Sequence, residues 1–121
     1  MAKAFKRRAR EELVFTPRSM IDSDKPLKFK FMTLSNLDIV KIDDKMATYD
    51  VYDQRLITAS NEIDYQTAIT YLTGWENLEI DGEEIPFNKE VLEEIDIVDE
   101  LVELGRYIYI VSKYPDTKIE F

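Results

Sequence analysis

The sequence predicts a single, mostly helical α+β domain with a small β-hairpin or sheet and an extended basic N-terminal arm. Three observations predict it. Apolar residues recur at helical spacing along several long segments. Two stretches alternate apolar and polar residues instead: residues 27–33 and the short runs flanking Asp81-Gly82. Finally, 121 residues that are 45 % hydrophobic and 12 % aromatic can bury one core without covalent staples.

The arm is read from charge. Residues 1–30 hold nine basic side chains against four acids, whereas the whole chain stands at −9, so the body beyond residue 30 is strongly acidic. The expected division is a basic arm and connector over 1–26 and an acidic α+β domain over 27–121. Residues 1–13 have the composition of a short basic helix, marginal on its own. Pro17, Asp22-Ser23-Asp24 and Pro26 then mark an extended, turn-rich connector. In residues 27–33, Phe29 and Phe31 share one face and Lys28 and Lys30 the other. This predicts a half-buried strand, with the lysines pointing to a sheet edge.

Ser35 is placed to cap a helix, with Asp38 in the first turn where the helix dipole favours a negative charge. Tyr49, Tyr52 and Leu56 extend helical spacing, Ala59-Ser60-Asn61 reads as a break, and Asn61 as a second cap. Gly74 reads as the left-handed residue ending that helix. Asp81-Gly82 between short alternating runs predicts a two-residue hairpin, because both turn positions need positive φ. Pro86 closes the hairpin and Asn88 caps the next helix. From Val91 to Val111 an apolar stripe faces an acidic one, with a kink and restart at Asp96. Tyr107-Ile108-Tyr109-Ile110-Val111 has β propensity, but the stripe stays in phase across Gly105 and favours helix until Pro115.

Composition removes much chemistry. The chain has no Cys and no His, hence no disulfide, no thiolate nucleophile, no Cys-based metal site and no imidazole base or ligand. Its three glycines include no Gly-x-Gly context, so there is no phosphate-cradling loop. The 25 acids fall mostly on polar helix faces and read as solvated surface rather than paired catalytic carboxylates. Asn77, Glu79, Asp81 and Gly82 imitate the opening of a calcium loop, but the closing bidentate Glu would fall at Asn88 and Pro86 interrupts the exit. The expectation is a non-enzyme with no cofactor and no metal. The basic first residues do not form a secretion signal, and no apolar run approaches a membrane span, which points to the cytoplasm.

Two sets of residues are candidates for protein interaction: Lys6, Arg7, Arg8 and Arg10 on the arm, and Tyr107, Tyr109 and Tyr114 on the C-terminal helix. An arm lying loosely on its own body is the plainer reading of the first set, and docking on an acidic neighbour is the functional one. Nucleic acid fits poorly, since the acidic body repels phosphate. Trp75 reads as core rather than as an exposed anchor. With Gly74, Asp81, Gly82, Pro86 and Phe87 it forms a structural motif.

The order of these features resembles a family. Phe15-x-Pro17, the Phe29/Phe31 strand and Leu34-Ser35-x-x-Asp38 lead to Gly74-Trp75-x-Asn77-Leu78. Asp81-Gly82 and Pro86-Phe87-x-x-Glu90-x-Leu92 follow, then an acidic amphipathic helix. This is similar to small proteins of tailed bacteriophages known as tail assembly chaperones. The resemblance runs from about Phe15 to about Leu104, and the basic arm departs from it. It implies a non-enzymatic role in virion assembly: holding the aggregation-prone tape-measure protein while tail subunits assemble around it, in the host cytoplasm. The alternative is a permanent capsid, connector or tail subunit whose arm binds neighbours. Either way the expected partners are tail or other virion proteins, or a second copy of the chain, with no membrane.

Overall fold

In this computed structural model the described residues are 5, 7, 8, 10–52 and 56–115, with backbone alone described over 47–52 and 56–60. They form an α+β domain with three long helices and a small antiparallel sheet. Strands β1 (Glu12–Phe15), β2 (Lys28–Met32) and β3 (Leu72–Glu76) make the sheet in the order β1-β2-β3. Helices α1 (Asn36–Tyr52) and α2 (Leu56–Tyr71) lie between β2 and β3 in sequence. A hairpin of β4 (Glu79–Ile80) and β5 (Glu83–Glu84), a 3-10 turn over Lys89–Glu94 and helix α3 (Val98–Lys113) follow.

Strand alternation assigns the two sheet faces. Two rows face inward: Phe15–Phe29–Trp75 and Leu13–Phe31–Leu72, each aligned across the three strands. Phe29 and Phe31 are fully buried and centre the core, which α3 completes with Leu101, Leu104 and Ile108. The opposite face is mostly polar and open to solvent, with Val14 exposed among its charged residues. Lys30 pairs there with Glu76 at 3.2 Å, and the Thr73 hydroxyl donates to Glu12 at 2.9 Å.

Leu72 and Trp75 are three residues apart, yet both point inward. In an unbroken strand their parity would send them to opposite faces. A bulge resolves the conflict: Phe31 pairs with Leu72 and Lys30 with Gly74, so Thr73 is the extra residue. Gly74 therefore belongs to a strand and does not end a helix. Its φ is not positive, and the helix has already stopped at Tyr71.

Five further expectations are corrected. Strand β2 is central rather than an edge, because lysines on the solvent face of a one-sided sheet say nothing about position within it. Residues 12–26 are part of the domain: β1 pairs with β2, and Phe15 and Pro17 are buried. The fold thus does not divide at 26/27, and Leu13 is strand rather than helix. Phe5, Arg7, Arg8 and Arg10 are not helical, and the rest of that expected helix before Arg10 lies outside the described residues. Helix α2 runs through Ala59-Ser60-Asn61 without a break, so Asn61 is not a cap. After the kink, α3 starts from Ile97, with no side-chain cap from Asp96.

The local signals at other termini hold. The Asp38 amide donates to the Ser35 hydroxyl at 3.2 Å and the Glu90 amide to the Asn88 side chain at 3.1 Å. Asp81 and Gly82 have φ of 52° and 83°, as a two-residue hairpin turn requires. Residues 106–113 are helical, and the helix ends at Lys113, with Tyr114 as its cap before Pro115.

Among the described residues helices α2 and α3 form the largest interhelical contact, and they approach closely at Gly105. A β-carbon there would lie 1.7 Å from the backbone oxygen of Asp64. The Asp64 side chain is buried at the same crossing and binds Arg106, whose Nε donates at 3.1 Å and whose terminal nitrogen lies 3.1 Å away. Burial pushes the Asp64 carboxyl above its ordinary range, and Arg106 only partly offsets this. The folded state therefore holds the Asp64 proton more tightly than the unfolded chain. Stability falls as pH rises from the ordinary carboxylate value through the raised one. Asp64→Asn should leave stability at pH 7 unchanged or raise it by up to about 1 kcal/mol, an advantage lost in acid. Urea denaturation at neutral and acidic pH measures this, and a loss of about 2 kcal/mol or more at pH 7 would show that the ionised pair stabilises.

Candidate interaction surface

The arm is anchored where its described part meets the body. Arg8 Nε donates to Asn36 Oδ1 at 2.6 Å, and its guanidinium also donates to the Ser112 carbonyl. One side chain thus ties the arm to the start of α1 and the end of α3. Ser112, buried at 2 % exposure, reinforces this corner by accepting from the Leu34 amide at 2.9 Å. Arg7 and Arg10 are exposed, and Lys6 lies outside the described residues. The arginine carbonyl contact had no sequence signal beyond charge, and Ser112 had none at all.

The three tyrosines do not form one surface. Tyr107 stacks on Phe15 with ring centroids 4.6 Å apart and meets Phe31 edge-on at 5.8 Å, so it seals the core. Tyr109 donates its hydroxyl to Asp43 on α1, and Lys113 binds the same carboxylate at 3.0 Å and the Tyr109 hydroxyl at 2.9 Å. Tyr114 is exposed, with the Lys113 ammonium 5.7 Å from its ring. Helical spacing puts at least one of Tyr107 and Tyr109 off the main stripe, since they flank Ile108, and β1 and α1 cover the two from the sides.

Asp43, Tyr109 and Lys113 form a group of titratable side chains that links two helices. The Tyr109 hydroxyl bond and Lys113 outweigh partial burial and hold the Asp43 carboxyl below its ordinary range. Burial and the bond to Asp43 push the Tyr109 phenol up. Bonds to Tyr109 and Asp43 hold the Lys113 ammonium above its ordinary value. Each group is fixed further in its resting protonation state, an ionised pair beside a neutral phenol, opposite to what a general base needs. This is a clasp between α1 and α3. Among the described residues no three acids gather to hold a metal ion.

The motif around the hairpin is also structural. Trp75 is 8 % exposed, donates its indole N–H to the Ile85 carbonyl at 2.8 Å and meets Phe87 edge-on at 4.7 Å. Asn77, in the left-handed region at φ 64°, donates its side-chain amide to the Pro26 carbonyl at 3.0 Å. Pro86 and Phe87 lie at the surface beyond the turn of Asp81 and Gly82.

These contacts frame a feature that sequence reading missed. A cleft of about 340 Å³ opens between residues 19–27, residues 77–79 and the start of α3. Met20, Leu27, Leu78, Ile95 and Ile97 supply its apolar lining, and Glu79, Asp96 and Glu100 stand against one lysine, Lys25. Burial, with the like charges of Asp99, Glu103 and Asp96, holds the Glu100 carboxyl above its ordinary range despite a backbone hydrogen bond. Exposed Ile21 and Val98 directly follow the lining residues Met20 and Ile97 in sequence. The volume is at the lower end of the ~300–1,000 Å³ typical of ligand pockets, which suits one or two side chains of a partner. No single stretch of sequence announces the cleft, because three distant segments build it.

No protein-family model, curated protein or solved structure matches this chain. Among the described residues no helix is long and apolar enough to cross a membrane.

Proposed function

We propose that this protein is a non-enzymatic assembly factor of a tailed bacteriophage, of the tail assembly chaperone kind, acting in the host cytoplasm by holding a protein client. The observation that carries the reading is the cleft. It pairs an apolar lining with an acidic rim, whereas the Asp43–Tyr109–Lys113 cluster is engaged in an internal clasp. Such a site fits an apolar anchor flanked by basic residues on a protein segment. The motif order read in the sequence supports the phage context, and with it a tape-measure client.

The test is affinity purification from infected cells, followed by mass spectrometry of finished particles. The chaperone reading expects a tail protein to co-purify, this chain to be missing from virions, and Glu79→Lys with Asp96→Lys to abolish co-purification. Both positions are exposed, so the fold should tolerate the exchange. Stoichiometric copies in the particle would overturn the chaperone reading. They would favour a permanent subunit, for which the anchored basic arm is the specific support.

A further inference from the structure

The strand order leaves β1 and β3 at the edges of the sheet. We propose that β1 pairs along its outer edge with β1 of a second copy of this chain, antiparallel about a two-fold axis at Val14. Two three-stranded sheets then become one continuous sheet. The inference concerns self-association and does not depend on a phage client.

Three observations carry it. The first is the direction of the main chain in β1. The Thr33 amide donates to the Glu11 carbonyl at 3.0 Å, which makes Glu11 and Thr33 a hydrogen-bonded pair. Alternation along the ladder then turns the amides and carbonyls of Leu13 and Phe15 toward β2, and those of Glu12 and Val14 away from it. Among the described residues nothing bonds to the outward main-chain groups of Glu12 and Val14. Pro17 holds the preceding Thr16 extended, which lengthens this edge by one residue.

The second is that β1 lacks the devices that blunt a sheet edge: a bulge, a proline or a projecting charge. Strand β3 carries the bulge at Thr73. Strand β1 keeps an unbroken register with β2 and contains neither proline nor lysine. Its one charge leans away from the edge, because the Glu12 carboxylate accepts from the Thr73 hydroxyl on β3 at 2.9 Å. Val14, which is apolar, is left 52 % exposed.

The third is self-complementarity. Residues directly opposed across the new contact must both point outward, so few registers are allowed. One sets Glu12 against Glu12 of the second copy, which repels. Another sets each Glu12 against a Val14. The register centred on Val14 opposes the two valines, sets each Glu12 against the uncharged Thr16, and aligns Leu13 with Phe15 on the inner face. It makes about six main-chain hydrogen bonds. A strand paired antiparallel with its own copy is a two-fold contact, and with β3 guarded the assembly closes at a dimer.

The test is sedimentation equilibrium of the purified full chain from roughly 0.02 to about 1 mM. Wild type should show a reversible monomer–dimer equilibrium, with Kd on the order of 0.1 mM for so small a contact. Val14→Lys sets like charges against each other across the axis and should weaken association about tenfold or more. Its circular dichroism should be unchanged, since the side chain is exposed. Val14→Ile should keep the dimer. Hydrogen exchange locates the contact: the Val14 amide should exchange about threefold more slowly at the highest concentration than at the lowest, and the Thr73 amide on β3 equally fast at both. A wild type still monomeric at about 1 mM overturns the proposal. So does association that survives Val14→Lys, growth beyond a dimer, or a Val14 amide whose exchange ignores concentration.

Discussion

Gly105→Ala should be among the most damaging single substitutions in this chain, costing about 3 kcal/mol or more. Two effects compete. In an exposed helix interior, alanine is favoured over glycine by about 1 kcal/mol, so propensity alone predicts stabilisation. Against this, the new β-carbon would lie 1.7 Å from the Asp64 backbone oxygen, 2.5 Å from its carbonyl carbon and 2.9 Å from its Cα. No rotamer change relieves a clash with backbone. Helix α2 or α3 must move, and the buried row of Leu101, Leu104 and Ile108 loses its packing with it. Steric cost therefore wins. Denaturant unfolding should show the loss, with a fall in Tm of roughly 10 °C. Asp64→Asn should not rescue the variant, because the obstacle is the main chain. A Gly105→Ala protein as stable as wild type would mean that the helices do not cross this closely.

The same residue shows where sequence reading stops. Gly105 lies in the middle of an unbroken apolar stripe, and that periodicity places it in a helix. Its reason for being glycine lies on α2, some forty residues away, which no local pattern reports. What was legible is local: the Ser35 and Asn88 caps, the Asp81-Gly82 turn, the Phe29/Phe31 face and the long helix ending before Pro115. Each is a short-range contest between backbone groups and neighbouring side chains. The errors are non-local. Glu12–Phe15 is only four residues long and becomes a strand by pairing with β2. Helix α2 passes into β3 between Tyr71 and Leu72 with no intervening loop, so the glycine that followed resembled a cap. The candidate site fared worse than the fold. The basic arm was visible as charge, but the cleft is assembled from loops and had no pattern to find. The tyrosines were visible as a cluster, and only the positions of β1 and α1 show that two of them are already engaged.

Trp75→Ala should cost about 3–5 kcal/mol, a large share of the roughly 5–15 kcal/mol that holds a domain of this size together. Three contributions disappear together. The indole leaves an inward row that it shares with Phe15 and Phe29, opening a cavity at the end of the sheet. Its edge-to-face contact with Phe87 is lost. Its N–H no longer reaches the Ile85 carbonyl, a bond that ties the β4–β5 hairpin to β3. Trp75→Phe separates these effects, because it retains most of the ring packing but cannot donate. It should cost about 1–3 kcal/mol, chiefly the carbonyl left without its partner and the unfilled remainder of the indole site. Urea denaturation followed by circular dichroism ranks wild type, Phe and Ala in that order. Hydrogen exchange adds the location: the Ile85 amide, bonded to Leu78 at 2.7 Å, should lose protection in both variants before the amides of β2 do. If Trp75→Ala lost less than about 1 kcal/mol, the side chain would be a surface anchor rather than part of the core. The bulge at Thr73, whose consequence is to turn Trp75 inward beside Leu72, would then have no role in packing.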